Sequence, residues 1–130
     1  MEILLPPGWP RPKGYSHGIA ARGRLVFVAG QIGWDAAGKF PGDELAAQLK
    51  QTLENTLAVM LQAGAGPQHV VRMTWYITSK AEYLRQLSQI GETYRQVMGK
   101  HYPAMAVVVV AALMEDRAKI EIETTAVVPD

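Results

Sequence analysis

The chain has no cysteine. That excludes disulfides, thiolate metal sites and a cysteine nucleophile, and it fits a cytoplasmic protein. Histidine is sparse. His17, His69 and His101 are scattered, and no pair has the spacing of a metal motif. Charge of one sign is not in excess: 13 basic and 12 acidic residues are interspersed, for a net charge of +1. No basic stripe stands out to hold nucleic acid or a membrane surface. The longest apolar run, Met105 to Met114, is far shorter than the roughly 20 residues a bilayer span needs. The opening Met1-Glu2-Ile3-Leu4-Leu5-Pro6-Pro7 lacks the charged region and apolar core of a signal peptide. There is no G-x-S-x-G around Ser16, Ser79 or Ser88, and the glycines at 30, 33, 38 and 42 form no phosphate-loop pattern.

What is present suits one domain over residues 1–130, with 48% apolar residues to build a core. Residues 1–14 form an N-terminal arm dense in proline (Pro6, Pro7, Pro10, Pro12), which fixes φ and removes donors; Trp9 is expected to pin it to the body. Arg24 to Gly30 reads as a strand, with Tyr15 to Ala21 as its expected hairpin partner across Arg22-Gly23. Gly33 to Gly42 is a polar loop holding Trp34 and Asp35. Asp43 is the expected N-cap of a helix whose Leu45, Leu49, Leu53, Leu57, Met60 and Leu61 recur at helical spacing. Gly64-Ala65-Gly66-Pro67 stops it.

Val70 to Thr78 alternates as a strand, with Val71, Met73, Trp75 and Ile77 on one face. Ser79-Lys80-Ala81-Glu82 is a capping box that opens a second helix running to Gly99. Two strands close the chain. The first, from Ala106 to Leu113, is apolar enough for burial on both faces. The second begins Lys119-Ile120-Glu121-Ile122-Glu123, with both carboxylates opposite the isoleucines.

The order β-β-α-β-α-β-β predicts an α+β sandwich: one mixed sheet with two helices on one face. Two helices cover one face only, and the doubly apolar strand asks for cover on the other. A second copy of the chain is the simplest cover, so a homo-oligomer is expected.

Glu123 reads as part of a solvated strand face. Glu121 is open to either reading, since a carboxylate beside a desolvated cleft can activate water. Trp34 and Trp75 could line a pocket, although Trp75 falls on the apolar face of its strand and reads as core.

Several segments together resemble the RidA/YjgF family, also called the endoribonuclease L-PSP or reactive-intermediate deaminase family. They are Gly14-Tyr15-Ser16; Leu25 through Ile32; Gln48 to Asn55 with Ala63-Gly64; Pro103-Ala104 before the valine strand; and Lys119 to Glu123 after it. The resemblance implies a chorismate-mutase-like fold and a homotrimer with small-molecule pockets between adjacent subunits. It implies hydrolysis of enamines and imines to a keto acid and ammonia, without metal or cofactor. In the family an arginine pairs with the substrate carboxylate, a glutamate positions water, and a tyrosine and backbone near a Ser-Gly pair shape the cavity. Tyr15, Gly30 and Glu121 match the tyrosine, the glycine and the glutamate. The arginine position holds Met105, the serine position Ala29, and a pocket asparagine position Gly91.

These departures share a direction. Methionine offers an apolar, flexible surface where an Arg–carboxylate pair would be bidentate and charge-assisted. The expected pocket is therefore more apolar than in the active deaminases, with Arg72 as a candidate replacement cation. The resulting expectation is a divergent enamine/imine deaminase; the alternative is a non-catalytic metabolite-binding trimer. Endoribonuclease activity, suggested by the family's older name, gains nothing from a chain without a basic patch or paired histidines.

Overall fold

The computed structural model describes residues 1–130. Its main sheet has four strands in the order β3-β6-β4-β5: β3 Arg24–Ile32, β6 Ile120–Val128, β4 Val70–Ile77 and β5 Ala104–Val109. The β3–β6 and β6–β4 pairs are antiparallel, and the β4–β5 pair is parallel. Helix α1 (Leu45–Leu61) joins β3 to β4, and the helical segment from Lys80 to Met98 joins β4 to β5. Both connections place helices against one face of the sheet, as the alternation of elements requires.

The apolar stripe of α1 buries Leu45, Leu49, Leu53 and Met60 completely, against Met73, Trp75 and Ile77 of β4 and Ile120 and Ile122 of β6. Each such side chain contributes about 1.5–3 kcal/mol relative to exposure. The helix ends in a left-handed turn at Gly64 (φ 70), where the Ala65 N–H donates to Met60 O at 3.0 Å. That longer bond is the Schellman closure of a helix end.

Four expectations need correction. The segment before β3 does not pair with it. Gly18–Ala20 (β2) instead pairs antiparallel with Glu2–Leu4 (β1) in a separate two-stranded ribbon, so the arm begins as a strand and turns back. Leu4 packs on Gly18, where a side chain would crowd it. The proline-rich stretch between the two strands supplies the reversal, and Trp9 is seated edge-on against His17 at 5.0 Å.

The N-cap of α1 is Glu44, not Asp43, and it makes no side-chain cap of its own. Asp43 pairs with Arg117 at 3.2 Å instead. The capping oxygen comes from Gln86, whose Oε1 accepts from the Ala46 N–H at 3.0 Å while its Nε2 donates to Glu44 Oε2 at 2.5 Å.

Gln86 also explains why the second helix is two. It leaves helical geometry (φ −102, ψ 16) between α2 (Lys80–Arg85) and α3 (Leu87–Met98), turning its side chain inward to cap α1. Ser79 Oγ accepts from the Glu82 N–H at 3.1 Å, the forward half of the expected capping box. The Glu82 carboxylate pairs with Lys119 at 3.6 Å rather than closing the box. Substituting Gln86→Leu is expected to cost about 1–2 kcal/mol by leaving the Ala46 donor and Glu44 without partners, read as a lower urea midpoint at constant slope.

Finally, β5 ends at Val109; the Val110 N–H still donates to Ile77 O at 2.9 Å, and the strand does not continue to Leu113 as expected. Met105 and Val107 share the helix face with Met73 and Trp75, their partners in register. Ala106 and Val108 face the other way, and Val108 is 40% exposed. On the same open face, at the opposite sheet edge, Leu25 and Phe27 are 59% and 73% exposed. Within the single chain the face away from the helices is thus uncovered, and β5 is covered on one side alone.

Candidate functional site

A cavity of about 660 Å³ opens between the start of β5, strand β4 and helix α3. It brings together three of the sequence-derived site residues: Tyr15, Gly91 and Met105. Each has a structural reason to be there. Tyr15 precedes Ser16, whose N–H donates to Pro103 O at 2.9 Å and whose Oγ donates to Tyr102 O at 2.6 Å. A parallel bridge from Ser16 to Ala104 fixes this segment beside β5. Met105 is the second residue of β5, and Gly91 lies on the inner flank of α3.

Four of the other lining residues, Trp75, Tyr83, Tyr94 and Tyr102, are aromatic. Tyr94 stacks on Tyr102 (centroids 5.7 Å, planes 18° apart) and leans on Trp75 at 6.1 Å. The Tyr94 hydroxyl donates to His101 O at 2.6 Å, and the His101 ring bonds Val70 O through Nε2 at 2.7 Å. Burial, with a smaller contribution from Tyr102, pushes the Tyr94 phenol well above its ordinary range; burial also raises Tyr83. Both phenols stay neutral across the working pH range. Of 13 lining residues 9 are hydrophobic, the charged ones are Lys13 and Arg95, and none is a carboxylate. The volume is that of a site for a small organic molecule.

Glu121 is elsewhere. It sits on β6 opposite Tyr76, on the open face of the sheet. One extra residue of β3 is inserted against β6 between Val28 and Gln31, a bulge that holds Ala29 and Gly30. The bulge brings the Gly30 backbone onto the Glu121 side chain. A Cβ at position 30 would lie 2.5 Å from Glu121 Oε2, so any other residue there moves the carboxylate. Two residues on, Glu123 accepts a hydrogen bond from the Tyr76 hydroxyl at 2.6 Å, which raises the Tyr76 pKa above its usual value.

The expected site residues therefore fall into separate groups within the chain. Tyr15, Gly91 and Met105 share the aromatic cavity; Gly30 and Glu121 share the bulge. Ala29 lines a smaller depression of about 510 Å³ with Arg72, Thr74 and Glu123. Arg72 is thus on the face opposite Met105, not beside it. Trp34 leans on Phe40 at 6.1 Å, in a loop tied by Asn55 Nδ2 to Ile32 O and Trp34 O (2.9 and 2.7 Å), and lines neither space. Asp35 organises that loop by accepting the Ala37 and Lys39 N–H groups, and these two bonds hold its carboxyl below the usual range. Sequence reasoning missed Lys13, Arg95 and Tyr102. The four-residue step from Gly91 to Arg95 was the available signal for the second.

Fold and cavity together define a small α+β protein with a cavity of organic-molecule size at the parallel edge of its sheet. The chain belongs to the endoribonuclease L-PSP family, also called RidA/YjgF, whose sequence profile matches residues 10–128. Its fold is the chorismate-mutase-like one of that family. A solved Rid-family protein from Yersinia pestis superposes with a TM-score of 0.83 at 32% identity, covering 98% of each chain. Escherichia coli TdcF, solved with bound serine, gives a TM-score of 0.70 at 32% identity over 98% of this chain and 99% of that one. The 2-iminobutanoate/2-iminopropanoate deaminase of Salmonella typhimurium is 32% identical over 108 residues, 81% of this chain and 80% of its own.

Proposed function

We propose that this protein is a divergent enamine/imine deaminase that works as a homotrimer, each site completed by two copies of the chain. The observation that carries the reading is the division of the site. Tyr15, Gly91 and Met105 share one cavity, while Glu121 and Gly30 occupy another surface of the same protomer. The uncovered Leu25, Phe27 and Val108 give a second copy an apolar face to bury, and its Glu121 then becomes the partner for the first copy's cavity. Two relatives support the chemistry: one is named an imino-acid deaminase and another was solved with a bound amino acid.

In this reading the substrate carbon–nitrogen double bond lies over the Met105–Tyr15 wall. Glu121 from the neighbouring copy accepts a proton from water as the water adds to the imine carbon. Glu121 passes that proton to the nitrogen, giving the carbinolamine; it then takes the hydroxyl proton and delivers it to the amino nitrogen as the C–N bond breaks, releasing ammonia and the keto acid. Arginine in place of Met105 would grip a small carboxylate directly; methionine does not, and loss of such a contact is worth about 2–5 kcal/mol. The preferred substrate is accordingly one with an apolar or aromatic body.

The test is ammonia release from imino acids generated in situ by an amino-acid oxidase. The imino acid of phenylalanine is expected to be hydrolysed faster with the protein present, and 2-iminopropanoate hardly at all. Met105→Arg is expected to gain on 2-iminopropanoate. Robust wild-type turnover of 2-iminopropanoate would contradict the role given to Met105. No turnover of any imine would leave the second reading, a non-catalytic binder of aromatic metabolites, which the apolar wall favours and which a thermal shift with aromatic ligands would reveal. Ribonuclease chemistry finds no support in the site: His101 is engaged with Val70, and His69 accepts the Gly66 N–H at 2.9 Å.

A further inference from the structure

We infer that Arg95 on helix α3, assisted by Lys13, is the anion-recognising cation of this cavity and selects aryl-substituted 2-imino or 2-keto acids over uncharged analogues. The inference rests on the reading of the cavity as the substrate site. Its basis is Gly91. A Cβ there would lie 3.3 Å from Arg95 Nη1, so the guanidinium folds back over the glycine, one helical turn toward the N-terminus. A longer side chain at 91 would occupy that space. The bare backbone at 91 and the position of the guanidinium are one arrangement.

Two further observations point to a ligand. Neither Arg95 nor Lys13 belongs to an ion pair in the protomer; the two salt bridges join Arg117 to Asp43 and Lys119 to Glu82. Both cations line a cavity that contains no carboxylate to neutralise them. The same cavity is lined by the aromatic rings of Trp75, Tyr94 and Tyr102. A guanidinium is planar, presents a fork of donors to a carboxylate and stacks on aromatic surface. The complementary molecule carries one carboxylate and an aromatic body. A three-carbon imino acid has the charge without the body.

The test compares binding of phenylpyruvate with that of phenylacetone, which carries a methyl group in place of the carboxylate, by calorimetry on the full chain. Wild type is expected to prefer phenylpyruvate about tenfold, as suits a charged hydrogen-bonded contact that is partly solvated. Arg95→Met, which keeps most of the apolar stem, should erase the preference. Arg95→Lys should keep part of it, and Gly91→Asn should reduce it by displacing the guanidinium. The wild-type preference should also shrink as salt is raised. An undiminished preference in Arg95→Met would overturn the inference, as would equal wild-type binding of the two ligands, while leaving the cavity as the site. If wild type binds neither molecule, both the inference and the cavity assignment fall.

Discussion

Replacing Glu121 by glutamine is expected to lower imine hydrolysis by about 100-fold or more, the usual size of a lost general base. The substitution keeps the shape of the side chain and its place opposite Tyr76 on β6. It removes the ability to take a proton from water. Stability should change little, because the side chain is half-buried and belongs to no salt bridge. The measurement is ammonia release from the phenylalanine-derived imino acid, with thermal unfolding as the control. Gly30→Ala offers an independent route to the same end, since a methyl group at the bulge must push the carboxylate aside. Unchanged turnover in Glu121→Gln would remove Glu121 from the mechanism.

Trp75→Ala is expected to be the most damaging single substitution for stability, by about 3–5 kcal/mol. Trp75 is 2% exposed, sits at the centre of β4 between β5 and β6, and leans on Tyr94 of α3. Its removal takes away transfer energy and leaves a void that the stacked Tyr94–Tyr102 pair is too constrained to fill. Against a typical stability of about 5–15 kcal/mol, that is a large share. A urea titration should show a much lower midpoint with an unchanged slope. A loss below about 1 kcal/mol would mean that the core does not depend on this ring as the packing indicates.

The periodic elements were legible because periodicity reports burial. The alternation in β4 places Met73, Trp75 and Ile77 inward, although an irregularity between Val70 and Arg72 buries Val70 in place of Val71; in α1 Leu45, Leu49, Leu53 and Met60 are buried, while Leu57 is partly covered and Leu61 at the helix end is exposed. The pairing of Tyr15 to Ala21 was not legible, because a short strand beside a proline-rich arm carries no information on its partner. The break at Gln86 was hidden for a related reason. A helical pattern continues smoothly through it, and the break answers to an unsatisfied N–H on a different helix, 40 residues earlier in sequence. Of the site, Tyr15, Gly91 and Met105 could be assembled from their family positions. Arg95 was marked only by its four-residue step from Gly91 along one helix face, since its role follows from the space that Gly91 vacates rather than from any motif of its own.

The separation of Glu121 from the Met105 cavity has a genetic consequence. When a reaction centre draws its halves from two chains, an allele defective in Glu121 still encodes a sound cavity, and an allele defective in Tyr15 still encodes a sound carboxylate. In the proposed trimer, a cell carrying both would assemble some mixed oligomers in which one intact cavity meets one intact glutamate. Inheritance of this protein's function would then follow the assembly rather than the single chain.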